Sequence, residues 1–139
     1  MPDSYLLGID LGAGSLKASL IRPDGTLIAE AAAPVTTQIR HFGWAEQDPG
    51  EWVAAMSQAL RQVVAGIEPG EIAGIGISAG AHIPVLTDAA GAVLRPAIMW
   101  SDQRAAAQAA ALHEKAGARI IATSLNLALI HISEPTRPD

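Results

Sequence analysis

The sequence predicts an α/β domain, and three observations predict it. A short apolar run, Tyr5 to Asp10, ends in an acid and glycines, as a buried strand does, and two more strand-like runs follow it across turn residues. Asp48-Pro49-Gly50-Glu51 then opens a stretch whose apolar residues recur at helical spacing. Beyond that helix, Ile72 to Ser78 returns to a strand composition, with Ile at 72, 75 and 77.

Each element has a local cause. Leu16 to Ile21 alternates small and apolar residues and forms the second strand; Arg22-Pro23-Asp24-Gly25 after it is a strong turn. Thr26 to Ala33 forms the third strand, although alanine is a poor strand former, and the three make an antiparallel meander. Pro34 to Gly43 is irregular. Asp48 is the N-cap of the first helix, Pro49 its first residue and Glu51 its third, a capping-box spacing. Such a cap contributes about 1 kcal/mol. Trp52, Met56, Ala59, Leu60 and Val63 form the apolar face, and Gly66 with Glu68-Pro69-Gly70 stops the helix. Pro84 to Thr87 and Val93 read as a hairpin turning at Asp88-Ala89-Ala90-Gly91, and Ile98 to Trp100 is a short apolar stretch. Gln103 to Lys115 is an alanine-rich helix, capped by Asp102 and closed by Gly117.

Composition narrows the function classes. The 139 residues suffice for one domain, which at this size hides roughly two-thirds of its unfolded surface. Half the residues are hydrophobic and 17% are charged, so the chain folds rather than staying disordered. Aromatics are confined to Tyr5, Phe42 and three tryptophans, which leaves the core to Ala, Ile, Leu and Val. The net charge of −5, with no Lys/Arg cluster, argues against a nucleic-acid surface. The absence of cysteine excludes disulfides and thiolate metal sites and fits a reducing compartment. The N-terminus has no basic leader and no apolar run reaches spanning length, so a soluble, cytoplasmic protein without membrane contact is expected.

Gly8 to Lys17 admits two readings. It is either an ordinary glycine-rich hairpin turn or a loop whose backbone N–H groups approach a phosphate, with Lys17 adding charge. A Rossmann loop would lead into a helix; here a strand and a Pro-Asp-Gly turn follow, and Walker A is absent. In the phosphate reading the turn wraps the outer phosphates of ATP, and Asp10 holds Mg²⁺ through water.

Four segments in order carry a resemblance. Gly8-Ile9-Asp10-Leu11-Gly12, then Gly43-Trp44-Ala45-Glu46-Gln47-Asp48-Pro49 with Trp52, then Gly74-Ile75-Gly76-Ile77-Ser78, then Leu94-Arg95-Pro96-Ala97-Ile98-Met99-Trp100-Ser101-Asp102-Gln103-Arg104 resemble the N-terminal part of the FGGY carbohydrate kinases, on the xylulokinase side. The resemblance covers residues 5 to 123. It implies part of the first of two actin-like, ribonuclease-H-like ATPase domains, with ATP and the sugar bound in the cleft between them. It also implies that the full-length protein phosphorylates a ketose or polyol hydroxyl. No residue here corresponds to the family's catalytic aspartate, so this segment alone is expected to be inactive. ATP and Mg²⁺ are the implied cofactors and a sugar the implied partner; an oligomer of the full-length protein stays open.

By this resemblance Asp10, Gly12, Ala13, Gly14, Ser15 and Lys17 bind the phosphates, Asp10 also serving the metal. Ala81, His82, Trp100 and Asp102 bind the sugar: an imidazole hydrogen-bonds a hydroxyl through either nitrogen, and an aromatic face packs on sugar C–H groups. The chain departs from the family at Ala13, where a threonine is common, the nearest hydroxyl being Ser15. It departs again in the sugar loop, Ala79-Gly80-Ala81-His82-Ile83, where only His82 keeps the xylulokinase pattern. The sugar therefore stays open. Core packing is the competing reading for Trp44 and Trp100. Glu46 and Asp48 are read as acids favoured at a helix start rather than as catalytic groups, and Arg104 carries no assigned role.

The last residues break the pattern. Leu129 to Pro138 resembles a translated sequencing-adapter read-through, with a join near Thr123 or Ser124. The expected organisation is a partial N-terminal kinase domain over 1–123 and a non-native tail over 124–139; a genuine polar C-terminus is the alternative. Two other functional classes stay open: an actin-like ATPase that does not act on sugars, and a nonfunctional truncated reading frame.

Overall fold

A computed structural model of the chain describes residues 4–124; the tail expected over 124–139 lies outside them but for its first residue. The chain divides into two compact units, Met1–Ser101 and Asp102–Asp139.

In the first unit the meander forms as its turns dictate. Strands β1 (Tyr5–Leu11), β2 (Ser15–Ile21) and β3 (Leu27–Pro34) pair antiparallel in sequence. The β2–β3 turn closes through Gly25 N–H to the Arg22 carbonyl (2.9 Å), with the Asp24 carboxylate accepting from Thr26 N–H (2.9 Å). That same bond lowers the Asp24 pKa. Gly25 has φ +90°, which a side chain resists. After two-residue β4 (Glu46–Gln47) and helix α1 (Pro49–Val63), a 3₁₀ turn at Pro69–Glu71 leads into β5 (Ile72–Ala79). Strand β5 runs parallel to β1, so the sheet order is β3-β2-β1-β5.

The pleat sends alternate residues to opposite faces. Leu7, Ile9, Leu16, Ala18, Leu20 and Ala33 share one face and meet Ala55, Ala59 and Val63 of α1 in the core. Alanine on both sides lets the helix lie close to the sheet. The helix packs over β2 and β3. Ile75 and Ile77, beside Leu7 and Ile9 in register, therefore stay 62% and 72% exposed.

The α1 cap forms with one rearrangement. Asp48 accepts from Gly50 N–H (2.8 Å) rather than from the third residue. Glu51 does not reach back to the cap; its carboxylate accepts from Thr36 N–H (2.9 Å), 15 residues earlier. A carboxylate at this position is drawn to whichever backbone donor the tertiary fold presents. The predicted hairpin at residues 84–93 is reduced to one bridge, Thr87 to Val93, around a turn capped by Asp88. Of the apolar stretch at 98–100 only Ile98 joins a strand, β6 (Ala97–Ile98), which pairs antiparallel with β4.

In the second unit α2 spans Ala106–Ser124, which corrects both ends of the predicted helix. Gly117 lies inside it, because one glycine costs only about 1 kcal/mol relative to alanine in a helix interior. Asp102 is not its cap: Asp102 Oδ1 accepts from Arg104 N–H (2.9 Å) and Nε (2.8 Å), and Oδ2 from Arg104 Nη2 (2.7 Å).

Candidate functional site

The parallel pair β1 and β5 ends in step, Leu11 beside Ala79, so the loops after the two strands emerge side by side. The carboxyl ends of parallel strands are where open α/β sheets bind ligands.

The first loop is Gly12-Ala13-Gly14. It turns tightly, with Gly12 N–H donating to the Ser15 carbonyl (2.9 Å). A Cβ on Gly12 would stand 3.2 Å from that oxygen, closer than most side chains tolerate. The carbonyls of the loop face the protein. Ala13 C=O accepts from Gln47 Nε2 (2.7 Å) and the Thr37 hydroxyl (3.3 Å), and Gly14 C=O accepts from Val35 N–H (3.1 Å). Ala13 and Gly14 are exposed, and their N–H groups find no acceptor among the described residues. Successive exposed N–H groups in a tight turn can form an anion cradle. The Ser15 hydroxyl likewise makes no hydrogen bond among the described residues.

Asp10 lies on the sheet face away from α1. Its register partners Lys17 and Ser78 share that face, in a groove of about 440 Å³ whose floor is Gly8 and Gly76. Lys17 Nζ pairs with Glu30 (3.5 Å), which also accepts from the Ser19 hydroxyl (3.1 Å). The lysine charge is thus held by Glu30, and an exposed pair of this kind adds under about 1 kcal/mol. Asp10 itself is exposed and unpaired. No group of three metal-ligating side chains exists among the described residues. A single free carboxylate suits a hard cation that keeps most of its waters and takes phosphate oxygens as further ligands.

On the other side of the loop is a pocket of about 150 Å³, bounded by Gly12, Ala13, Gln47, Trp52, Ile83 and Trp100. Its floor includes Leu11 and Met99, and Gly80 joins it from the second loop. Trp100 is 60% exposed, so it serves as a wall and not as core. Trp44 is half-buried with its ring edge-on to His41 (4.6 Å) and does not line this pocket. Ala81 and His82 lie exposed at the tip of the second loop, next to pocket residues Gly80 and Ile83. Asp102 belongs to the second unit, its carboxylate engaged by Arg104.

His82 has φ +59°, the left-handed region, among non-glycine residues described here the sole example. Such a conformation costs on the order of 1–2 kcal/mol and collects at ligand sites. His82→Gly is expected to hold or raise stability by up to about 1 kcal/mol, and His82→Ala to leave the strain in place. Urea midpoints of the two variants check this; a glycine variant less stable than the alanine variant is the contrary result.

Glu46, expected only to favour the helix start, is buried and accepts from Arg95 Nη2 (2.7 Å), tying the chain before β6 to β4. Gln47, Thr37 and Trp52 complete the site: Gln47 and Trp52 fall in the second family-like segment but carry no site role there, Trp52 reading as one more apolar helix residue, and Thr37 lies outside every motif.

The model of the FGGY family of carbohydrate kinases, N-terminal domain, matches residues 5–133. The chain belongs to this family. The FGGY domain is 36% identical over 112 residues to xylulose kinase of Klebsiella pneumoniae, covering 81% of this chain and 23% of that protein. It is 36% identical over 116 residues to glycerol kinase of Citrifermentans bemidjiense, covering 80% and 23%. A crystal structure of a xyloylose kinase from Brucella ovis superposes with a TM-score of 0.77 at 38% identity, over 84% of this chain and 25% of that one. The FGGY domain thus has the actin-like, ribonuclease-H-like fold of these kinases, N-terminal part, and the chain spans about a quarter of the length of the relatives it matches. No described helix is long and apolar enough to cross a membrane.

Proposed function

We propose that the full-length protein carrying this segment transfers the γ-phosphoryl group of ATP to a hydroxyl of a ketose or polyol, in the cytoplasm, and that this segment supplies one wall of the site. The observation that carries the reading is the glycine loop itself, with unpaired N–H groups at Ala13 and Gly14, the free Asp10 carboxylate on one side and a tryptophan-walled pocket on the other. Phosphoryl transfer depends on positioning and charge stabilisation, so it needs this pairing of an anion cradle with a sugar-sized apolar recess.

In this reading Gly12, Ala13, Gly14 and Ser15 hold the outer phosphates through backbone N–H groups and the Ser15 hydroxyl. Mg²⁺, when bound, neutralises phosphate charge, and Asp10 would hold it through water. Lys17, shared with Glu30, contributes to the field of the open face rather than a direct phosphate contact. Trp100 and Trp52 pack on the C–H surface of the sugar, and Ala81 and His82 close over it, the imidazole taking a hydroxyl. Asp102 is assigned to the sugar on the motif alone. The base that accepts the hydroxyl proton lies outside this segment. The names of the relatives, xylulose kinase and glycerol kinase, support this class of acceptor.

Assay of the full-length protein with ATP–Mg²⁺ and a panel of pentuloses, hexuloses and polyols tests the reading. Phosphorylation of at least one acceptor is the expected result; turnover of none rejects it.

A further inference from the structure

Gln47 stands out because it is polar, 1% exposed, and saturated by groups from three separate parts of the chain. Its Nε2 donates to the Ala13 carbonyl (2.7 Å) and to the Thr37 hydroxyl (2.7 Å). Its Oε1 accepts from the Trp52 indole N–H (2.8 Å). The amide can sit only one way round: a carbonyl only accepts and an indole only donates. The Thr37 hydroxyl, having accepted from Gln47, donates its own hydrogen bond to the same Ala13 oxygen (3.3 Å).

We propose that Gln47 is a positioning residue that sets the direction of the Gly14 N–H. The Ala13 carbonyl and the Gly14 N–H belong to one peptide plane, and in a trans peptide they point in opposite directions. No peptide bond among the described residues is cis. Pulling the Ala13 oxygen inward onto Gln47 and Thr37 therefore turns the Gly14 N–H outward, toward solvent and toward an anion. Left to itself, a loop between two glycines would sample both orientations of that plane, since glycine populates both signs of φ. The buried amide selects one before the phosphate arrives, which removes a reorganisation cost from binding. The same side chain holds Trp52, a wall of the adjacent pocket, so the phosphate loop and the pocket share one anchor. The orienting role stands on the hydrogen bonds; its use in binding phosphate rests on the function proposed above.

The test uses the 139-residue chain, isotope-labelled, and the variants Gln47→Glu and Thr37→Val. Ionised glutamate keeps the shape and the acceptor for Trp52 but offers the Ala13 carbonyl no donor, so the spectra are followed to a pH at which the carboxyl is ionised. In the ligand-free protein the expected result is a changed Ala13 carbonyl ¹³C shift and greater mobility of the Gly14 amide in Gln47→Glu. The Trp52 indole resonance should persist, and the remaining β1, β2 and α1 amides should stay in place. Thr37→Val should move the same signals less. Unchanged Ala13 and Gly14 signals in both variants would overturn the positioning role, whatever the loop binds. Collapse of the whole spectrum in Gln47→Glu leaves Thr37→Val to decide alone. Titration with inorganic tripolyphosphate and Mg²⁺ reads the second part. The wild-type Gly14 amide should shift on binding, with affinity weakened roughly tenfold in Gln47→Glu, the equivalent of one hydrogen bond to a charged group. A silent wild-type Gly14 alongside a loosened variant loop overturns the phosphate reading and leaves the orienting role supported.

Discussion

Replacing Asp10 by alanine in the full-length protein is expected to lower the proposed sugar phosphorylation by about a thousandfold, the scale of losing one group that stabilises transition-state charge. The expectation follows from its position. Asp10 is the penultimate residue of β1, two before Gly12, on the face that Lys17 and Ser78 share, and no cationic side chain among the described residues pairs with it. A free carboxylate beside an anion cradle is unfavourable unless a cation stands between the two charges, which is the arrangement a metal–nucleotide complex provides. Because Asp10 is exposed and makes no bond that holds the fold, the variant should unfold at the wild-type urea midpoint. Steady-state kinetics with varied ATP and Mg²⁺ check the first statement and denaturation the second. Activity within about threefold of wild type, too small for a lost charge contact, would falsify the assignment.

Leu20→Ala should cost about 2–5 kcal/mol of stability, the range for removing a buried leucine side chain. Leu20 is 0% exposed near the end of the interior strand β2, between Leu7 of β1 and Ala29 of β3, on the sheet face that α1 covers. The cluster it belongs to mixes short side chains, Ala18, Ala33, Ala55 and Ala59, with larger ones such as Leu7, Ile9 and Val63. The short ones cannot swing in to fill the gap, so much of the cavity term is expected to remain. Domains of this size are stable by only about 5–15 kcal/mol, so a large fraction of the chain's stability is at stake. Urea unfolding of the 139-residue chain measures it; a loss below about 1 kcal/mol would mean that the sheet and α1 close up over the gap.

The meander and α1 were legible because their causes are local. Pro23-Asp24-Gly25 makes a turn wherever it stands, and Asp48-Pro49 starts a helix with whatever follows at the right spacing. Asp10 and the glycines after it were legible as a site only as far as residue type goes. The loop's residues allow a phosphate cradle, but nothing in them says which way a peptide plane faces. That direction is set by Gln47 and Thr37, 34 and 24 residues away from Ala13. The partner of Glu51 is Thr36 and that of Glu46 is Arg95, 49 residues on. Neither could be read locally, because a carboxylate carries no address for the donor it will meet. The left-handed backbone of His82 belongs to the same class, since histidine seldom adopts it and no sequence pattern announces it. The start of α2 failed for a different reason: Asp102 is a good cap, but it is also two residues from an arginine that takes both its oxygens.

Residue order alone was enough to establish a strand meander leading into a capped helix, a glycine loop after an acid, and a chain of aliphatic core without cysteine. Those properties depend on neighbours a few bonds apart, where sterics and short-range hydrogen bonds decide. The tertiary fold decided how the pieces become a site: β5 laid parallel to β1 so that two loops end together, two tryptophans gathered round a recess, and a buried amide turning one N–H outward. Such features require groups far apart in the chain to meet, and the energy that brings them together is the burial of the whole α1–sheet interface, a quantity that no single segment contains.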